Sequence, residues 1–560
     1  EGHNGYAYNV TANRNYVTNE GGSLFITGEN CQIYESEFTN NIAGDDGGAI
    51  YWEGDNGHIE ECNFENNTGL SMWNQYDGKS HTSKGGAVSI IGDNLKLLNS
   101  NFTGSSTHNN GNNNNFGGTL FITGEDVKID GCDFNDSSSQ GSDGGTIYII
   151  GNRTEISNSG FSNSTARSGG AIYVDGTYTV IKGSEFDTCT ANSPGAQGGA
   201  IYIHGQQTVV EESNFVNSSA AFRGGAIYID GLNAIIRNSN FTDSSVSGEK
   251  YYTQNPRGGA VYIKENYATI EGSIFNHSTV SSDVREGGAI FVQGNYANVS
   301  GSEFESSSAK TGGAVYLEGN SATVSDSTFT ASHANENGGA MYSTGSNSVV
   351  SNSNFNDNLA ELSGGAIYWY GGANSRYNTV DGCIFTNNTA HGNTTGTITR
   401  GGGAVYWSEG GYYGTIKNSE FYYNSVQSTI DKKVDGGAVL WDKSYHALVD
   451  NCIFVGNFVT TNGDTSGTSA SDFWAQGGAM YLRPYDNYTV RNCKFENCAS
   501  SKEAGALYIQ SNKVPTGHAD TGRKILLENS VFINNVAQAK GQHNINGGGA
   551  IQVKQCANIE

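Results

Sequence analysis

The hydrophobic pattern of this 560-residue chain is short and repeated. In "REGGAIFVQGNYANVSGSEFESSSAKTGGAVYLEG", the run glycine–glycine–alanine–apolar–aromatic–apolar opens at Gly287 and again at Gly312. After the first opening come two more pieces, "YANVSG" and "SEFESS", in which apolar and polar residues alternate between Gly, Asn and Ser. No piece is long enough for a stable helix. The opening or its equivalent recurs 18 times from Gly22 to Gly549, at spacings of 25 to 44 residues. Three short strands in such a unit predict an all-β fold, a right-handed parallel β-helix of about 18 coils, with each strand ~4.8 Å from its copy in the next coil. Nothing in the chain escapes the pattern. It predicts one β-helix domain over 1–560, with longer loop insertions at 49–86, 366–478 and 506–549.

The repeated residues have physical work to do. The glycine pair makes a tight corner before the first strand, and the small alanine fits beside it. The second and fourth letters of pieces such as Ala200–Ile203 are apolar, so they point inward. A phenylalanine closes the third strand in 17 coils, from Phe38 to Phe532, and predicts a buried column of stacked rings. Three residues after it stands Asn in seven coils, Ser in eight and Cys in two. Asn there is expected to form an amide ladder from coil to coil.

The third letter of the first strand alternates against the inward positions and should face out. It is aromatic in 15 of 18 coils, including Tyr148, Tyr173, Tyr202, Tyr228, Tyr262, Phe291, Tyr316, Tyr342 and Tyr368. Aromatic residues favour strands and stabilise one another across them. An exposed aromatic stripe is also a platform for sugar rings or another protein. The insertions offer further exposed aromatics: Trp73, Tyr76, Tyr412, Tyr413, Phe473 and Trp474.

Composition narrows the function. There are 55 acidic and 30 basic residues, a net charge of −25, which disfavours nucleic acid and anionic lipid as partners. No run of 18 apolar residues exists, so no transmembrane segment is expected. The start at Glu1, without a basic and hydrophobic leader, reads as a mature or trimmed product.

Chemistry is sparse. Residues two places beyond the aromatic slot should also face out, and they vary: Glu53, Asp175, His204, Asp230, Lys264, Gln293, Glu318. They form no run of carboxylates on adjacent coils of the kind a glycosidase pair needs. The 11 histidines show no HExxH, and neither GxSxG nor a phosphate-binding loop occurs. "GDTSGTSASD" at 463–472 lies in an insertion and reads as loop. Five of the nine cysteines (Cys62, Cys132, Cys383, Cys452 and Cys493) fill the slot two residues before the phenylalanine, where most coils have Ser. That pattern reads as small inward-facing residues, with no metal and no cofactor. Cys452 and Cys493, in consecutive coils, are either stacked thiols or a bridge.

Thirteen N-x-S/T sequons are candidates for glycosylation: Asn9, Asn66, Asn101, Asn135, Asn152, Asn163, Asn217, Asn240, Asn276, Asn298, Asn387, Asn393 and Asn487. Those beside the phenylalanine slot are expected to be partly buried.

Paired "GGAI" and "FxxN" repeats resemble the polymorphic outer-membrane proteins of chlamydiae. The chain is also similar to the adhesin-like surface proteins of methanogenic archaea, in both its repeat and its acidic, Asn/Ser/Thr/Gly-rich composition. The resemblance implies a secreted β-helix displayed on the cell surface, with adhesive or envelope roles. The chlamydial proteins also resemble autotransporters with a terminal membrane barrel, which this chain lacks, so the archaeal comparison fits better. Neither carries catalytic residues across. The reading is therefore a non-catalytic extracellular rod binding glycans or cell-surface proteins. Two alternatives stand beside it: a sheath subunit stacking head to tail, and a polysaccharide lyase- or hydrolase-like enzyme on the same fold.

Overall fold

The computed structural model describes residues 4–71, 73–74, 79–80, 82–109, 115–248, 255–281, 286–372, 375–392, 400–408, 410–428, 433–461, 474–510, 524–538, 547–554 and 558–559. Its secondary structure is all β, with no helix among the described residues. The chain divides into two compact units, Glu1–Ser282 and Asp283–Glu560. Each is built as a right-handed parallel β-helix.

One coil of the first unit shows the construction. Its strands are Ile201–His204, Val209–Glu211, Asn214–Val216 and Ser219–Ala220. Each pairs in parallel and in register with its copy, so that Tyr202 faces Tyr228, Val210 faces Ile236, Phe215 faces Phe241 and Ala220 faces Val246. The repeat predicts three strands per coil, whereas the structure has four. The fourth is often only two residues, a polar one and a small inward one. That is too short for an alternating pattern to stand out.

The corner glycines act as expected. Gly287 has φ +68°, and a Cβ on Gly288 would lie 1.9 Å from the carbonyl oxygen of Gly313 in the next coil. The phenylalanine column is continuous within each unit, with ring centroids 4.5–5.0 Å apart from Phe38 to Phe275 and 4.7–4.9 Å apart from Phe304 to Phe532. Where Asn follows in successive coils the ladder forms. Asn388 donates from its side-chain amide to Phe355 O at 2.8 Å and to Asn424 Oδ1 at 2.9 Å. Asn424 repeats this towards Phe385 O and Asn457 Oδ1.

The cysteines of the serine slot are buried and unbridged among the described residues. Cys383 Sγ reaches the carbonyl two residues back at 3.5 Å, the bond that Ser353 makes with its hydroxyl at 2.8 Å. Thiol and hydroxyl are thus interchangeable fillers of one narrow column. Burial pushes the Cys383 thiol up to about 12, which suppresses the reactive thiolate.

Candidate functional site

The aromatic stripe exists, but most of it is not a surface. The rings stack at 4.6 Å from Tyr148 to Tyr173 and from Tyr173 to Tyr202, then at 4.8 Å to Tyr228 and 5.2 Å to Tyr262. In the second unit Phe291, Tyr316, Tyr342 and Tyr368 follow at 4.8–4.9 Å. Tyr148, Tyr228, Tyr262, Phe291, Tyr316 and Tyr368 are buried, while Tyr173, Tyr202 and Tyr342 are half-buried. The expected exposed platform fails at six of these nine positions. Alternation places a residue on the outer face of a sheet, but it does not say what covers that face. Stacking removes both faces of each ring. Side chains from the segment before the glycine corner cover the edges: the Phe116 ring lies 4.7 Å from Tyr148, and the Arg223 guanidinium 5.0 Å from Tyr262. Burial pushes the Tyr148 phenol up to about 12.

Two residues beyond the stripe, Ile150, Asp175, His204 and Asp230 stand in register on successive coils. They border an open groove of about 570 Å³, lined also by Asn152, Thr177, Gln206 and Glu265. Asp230 is held by Lys264, whose Nζ lies 2.9 Å from Oδ2, and His204 Nδ1 is 3.7 Å from the same oxygen. Asp175 and Asp230 remain separated by the His204 coil. The groove therefore offers hydrogen-bonding groups, among them the carboxylates of Asp175, Asp230 and Glu265, with Asp230 engaged by Lys264. Among the described residues no cluster of three or more His, Cys, Asp or Glu is arranged to hold a metal.

Phe25, the first ring of the stripe, is exposed, as are Tyr370 and Tyr423, but the recurring exposed aromatics lie on the corner between first and second strands. One residue there adopts a left-handed conformation in coil after coil, and many coils use Asn, as at Asn56, Asn94, Asn233 and Asn347. Five coils use tyrosine: Tyr178, Tyr267, Tyr296, Tyr377 and Tyr413, with φ between +54° and +63°. They are 42–54% exposed. A bulky side chain at positive φ is a backbone outlier costing on the order of 1–3 kcal/mol, where Asn or Gly costs little. In the second unit Tyr377 stacks on Tyr413 at 4.9 Å, and Tyr413 on His446 at 4.7 Å, with interplanar angles of 7° and 9°. The adjacent Tyr412 and Tyr445 stack at 4.4 Å, with Arg376 over Tyr412 at 5.1 Å. Reading the sequence for strands passes over this corner, because tyrosine is not a turn residue. The available signal is a tyrosine just before the second strand, as in "GTYTVI", "GNYANV" and "SRYNTV".

The remaining candidates divide simply. Asn9, Asn66, Asn101, Asn135, Asn163, Asn217, Asn240 and Asn387 are exposed, and Asn152, Asn276, Asn298 and Asn487 are half-buried. Among the described residues none is fully buried; of those beside the phenylalanine slot Asn276 is half-buried, as expected, and the others are exposed. The corner turns its left-handed residue outward and buries the next one, so Asn66 is exposed while Asn67 carries the ladder. Asn393, Tyr76, Phe473, Cys556 and the segment 463–472 lie outside the described residues.

Asp435, just before a glycine corner, is fully buried, and neither of its carboxylate oxygens has a hydrogen-bond partner. Burial pushes its pKa up to about 7, against the opposing pull of Lys433 and Arg483. A folded pKa above the unfolded value of about 4 means that the native state binds the extra proton, so stability falls as pH rises from about 4 to about 7. Asp435→Asn is expected to match the parent in urea midpoint at pH 4 and to exceed it at pH 8. Equal midpoints at pH 8 would show that the carboxylate is solvated.

Comparisons with known proteins agree with the fold. Residues 225–406 match the family described as right handed beta helix region. Residues 35–51 match the Chlamydia polymorphic membrane protein repeat, and they contain Phe38, Asn41 and the run Gly47–Ile50, one copy of each motif. No curated protein matches the chain. Among solved structures, a mannuronic acid specific polysaccharide family 6 lyase enzyme from human gut microbiota is similar at 10% identity and a TM-score of 0.27, over 69% of this chain and 77% of that one. Similarity of that degree transfers neither residues nor substrate.

Proposed function

We propose that this chain is a non-catalytic cell-surface protein, adhesin-like in role, in which a β-helical scaffold presents glycan-binding corners. The observation that carries this reading is where the repeated and the variable residues lie. The repeated slots, the corner glycines, phenylalanine column and Asn/Ser column, are spent on contacts between coils. The aromatic residues that vary from coil to coil stand exposed on a strained corner. The membrane-protein repeat at 35–51 supports display at a surface, as does the resemblance to archaeal surface proteins. The engagement of Asp230 by Lys264, which ties up this carboxylate, favours binding over hydrolysis. On a glycan array the purified chain is expected to retain oligosaccharides, and on incubation with mannuronate and neutral polymers to release neither unsaturated uronate nor new reducing ends. An array without retained glycans refutes the binding role. Released product refutes the non-catalytic one.

A further inference from the structure

We propose that the ladder Tyr377–Tyr413–His446, in the unit Asp283–Glu560, is a binding site for neutral pyranose glycans. This deepens the reading above and rests on it. Three consecutive coils place an aromatic ring, exposed at Tyr377 and Tyr413 and half-buried at His446, in the left-handed position of the corner before the second strand, at φ +58°, +54° and +52°. Asn fills that slot at little cost in other coils, and a side chain 52% exposed at Tyr377 or 42% exposed at Tyr413 returns little burial to the fold. Strain kept at exposed aromatic side chains points to a ligand.

The geometry limits what that ligand is. Each inner ring face is covered by the next ring, so the ladder presents ring edges and phenolic hydroxyls outward. Tyr377 ends the ladder. The preceding coil carries Asn347, whose N–H bonds to Arg376 O at 2.7 Å and which therefore occupies the equivalent slot. The shorter Asn347 side chain, not a ring, stands beside that face of Tyr377, so the outer part of the phenol extends past it to meet the apolar face of a pyranose, while the hydroxyls along the ladder bond its substituents. The charges beside the ladder are engaged: Asp486 Oδ2 is 3.3 Å from His446 Nε2, and the Arg376 guanidinium lies over Tyr412. A net charge of −25 repels polyanionic chains. That charge favours neutral sugars over uronate chains.

The test uses the full chain and its variants Tyr377→Asn, Tyr413→Asn and the pair, which restore the residue that other coils carry. Affinity for the neutral oligosaccharides retained by the parent is measured by titration, with a thermal midpoint for each protein. Each single variant is expected to lose roughly tenfold in affinity and the pair to lose measurable binding. Thermal midpoints should stay level or rise, and parent affinity should hardly change between low salt and about 0.5 M salt. Parent-like affinity in the paired variant overturns the ladder as the site and leaves the adhesin reading standing. Retention of only acidic glycans, or only of protein ligands, overturns the ligand class. A parent chain that binds no glycan removes the underlying reading itself.

Discussion

Gly365→Ala is expected to disrupt the coils on either side of it and to cost more than about 4 kcal/mol, beyond the range of ordinary substitutions. A Cβ at this position would lie 2.0 Å from Gly403 O and 2.6 Å from Thr389 O. Both atoms are backbone and neither can swing aside. Relief requires the coils to separate, which breaks ladder bonds such as Gly365 N–H to Gly402 O at 3.1 Å and Ala366 N–H to Ala404 O at 2.9 Å. Because each coil of a solenoid is held mainly by its neighbours, the damage should be local before it is global. Hydrogen exchange should show protection lost first around residues 359–405. Gly372→Ala is the control, since a Cβ there meets only the Tyr370 ring, at 3.2 Å. A Gly365→Ala protein with parental exchange and melting would show that the glycine corner is not a steric requirement.

Phe355→Ala is expected to cost about 3–5 kcal/mol. The ring is fully buried, 4.7 Å from Phe329 and 4.9 Å from Phe385. Its removal takes away apolar burial and two stacked contacts, and it leaves a gap that rigidly spaced coils cannot close by collapse. Phe532→Ala, at a half-buried ring with one stacked neighbour, Phe495, among the described residues, should cost clearly less. Urea unfolding of both variants measures the difference. Equal losses would mean that the column is not the cooperative core.

Much of this protein was legible without coordinates, because the repeat compares the chain with itself. A residue that recurs every coil, such as Phe304 after Gly288, must do the same work each time, and only a stacked solenoid gives it the same place each time. The corner glycines, the phenylalanine column and the Asn ladder at Asn358, Asn388 and Asn424 followed from this. The fourth strand did not, since a pair such as Ser219–Ala220 carries no alternation.

The candidate site was legible only in part. Alternation put Tyr202 and Phe291 on the outside of a sheet, and they are there. Whether outside meant exposed depended on rings stacking at ~4.8 Å spacing and on side chains such as Phe116 and Arg223 leaning across from the segment before the glycine corner. Tyr413 reads from the sequence as an exposed aromatic of an insertion, and it is exposed; Tyr377 carries no such signal. Their left-handed backbone and exposure come from the turn that the whole coil imposes. The sequence by itself determined the β-helix and its buried columns, because periodicity records which residues must be equivalent. The tertiary structure alone decided which aromatic ladder meets solvent, because exposure depends on packing across coils, which no local pattern contains.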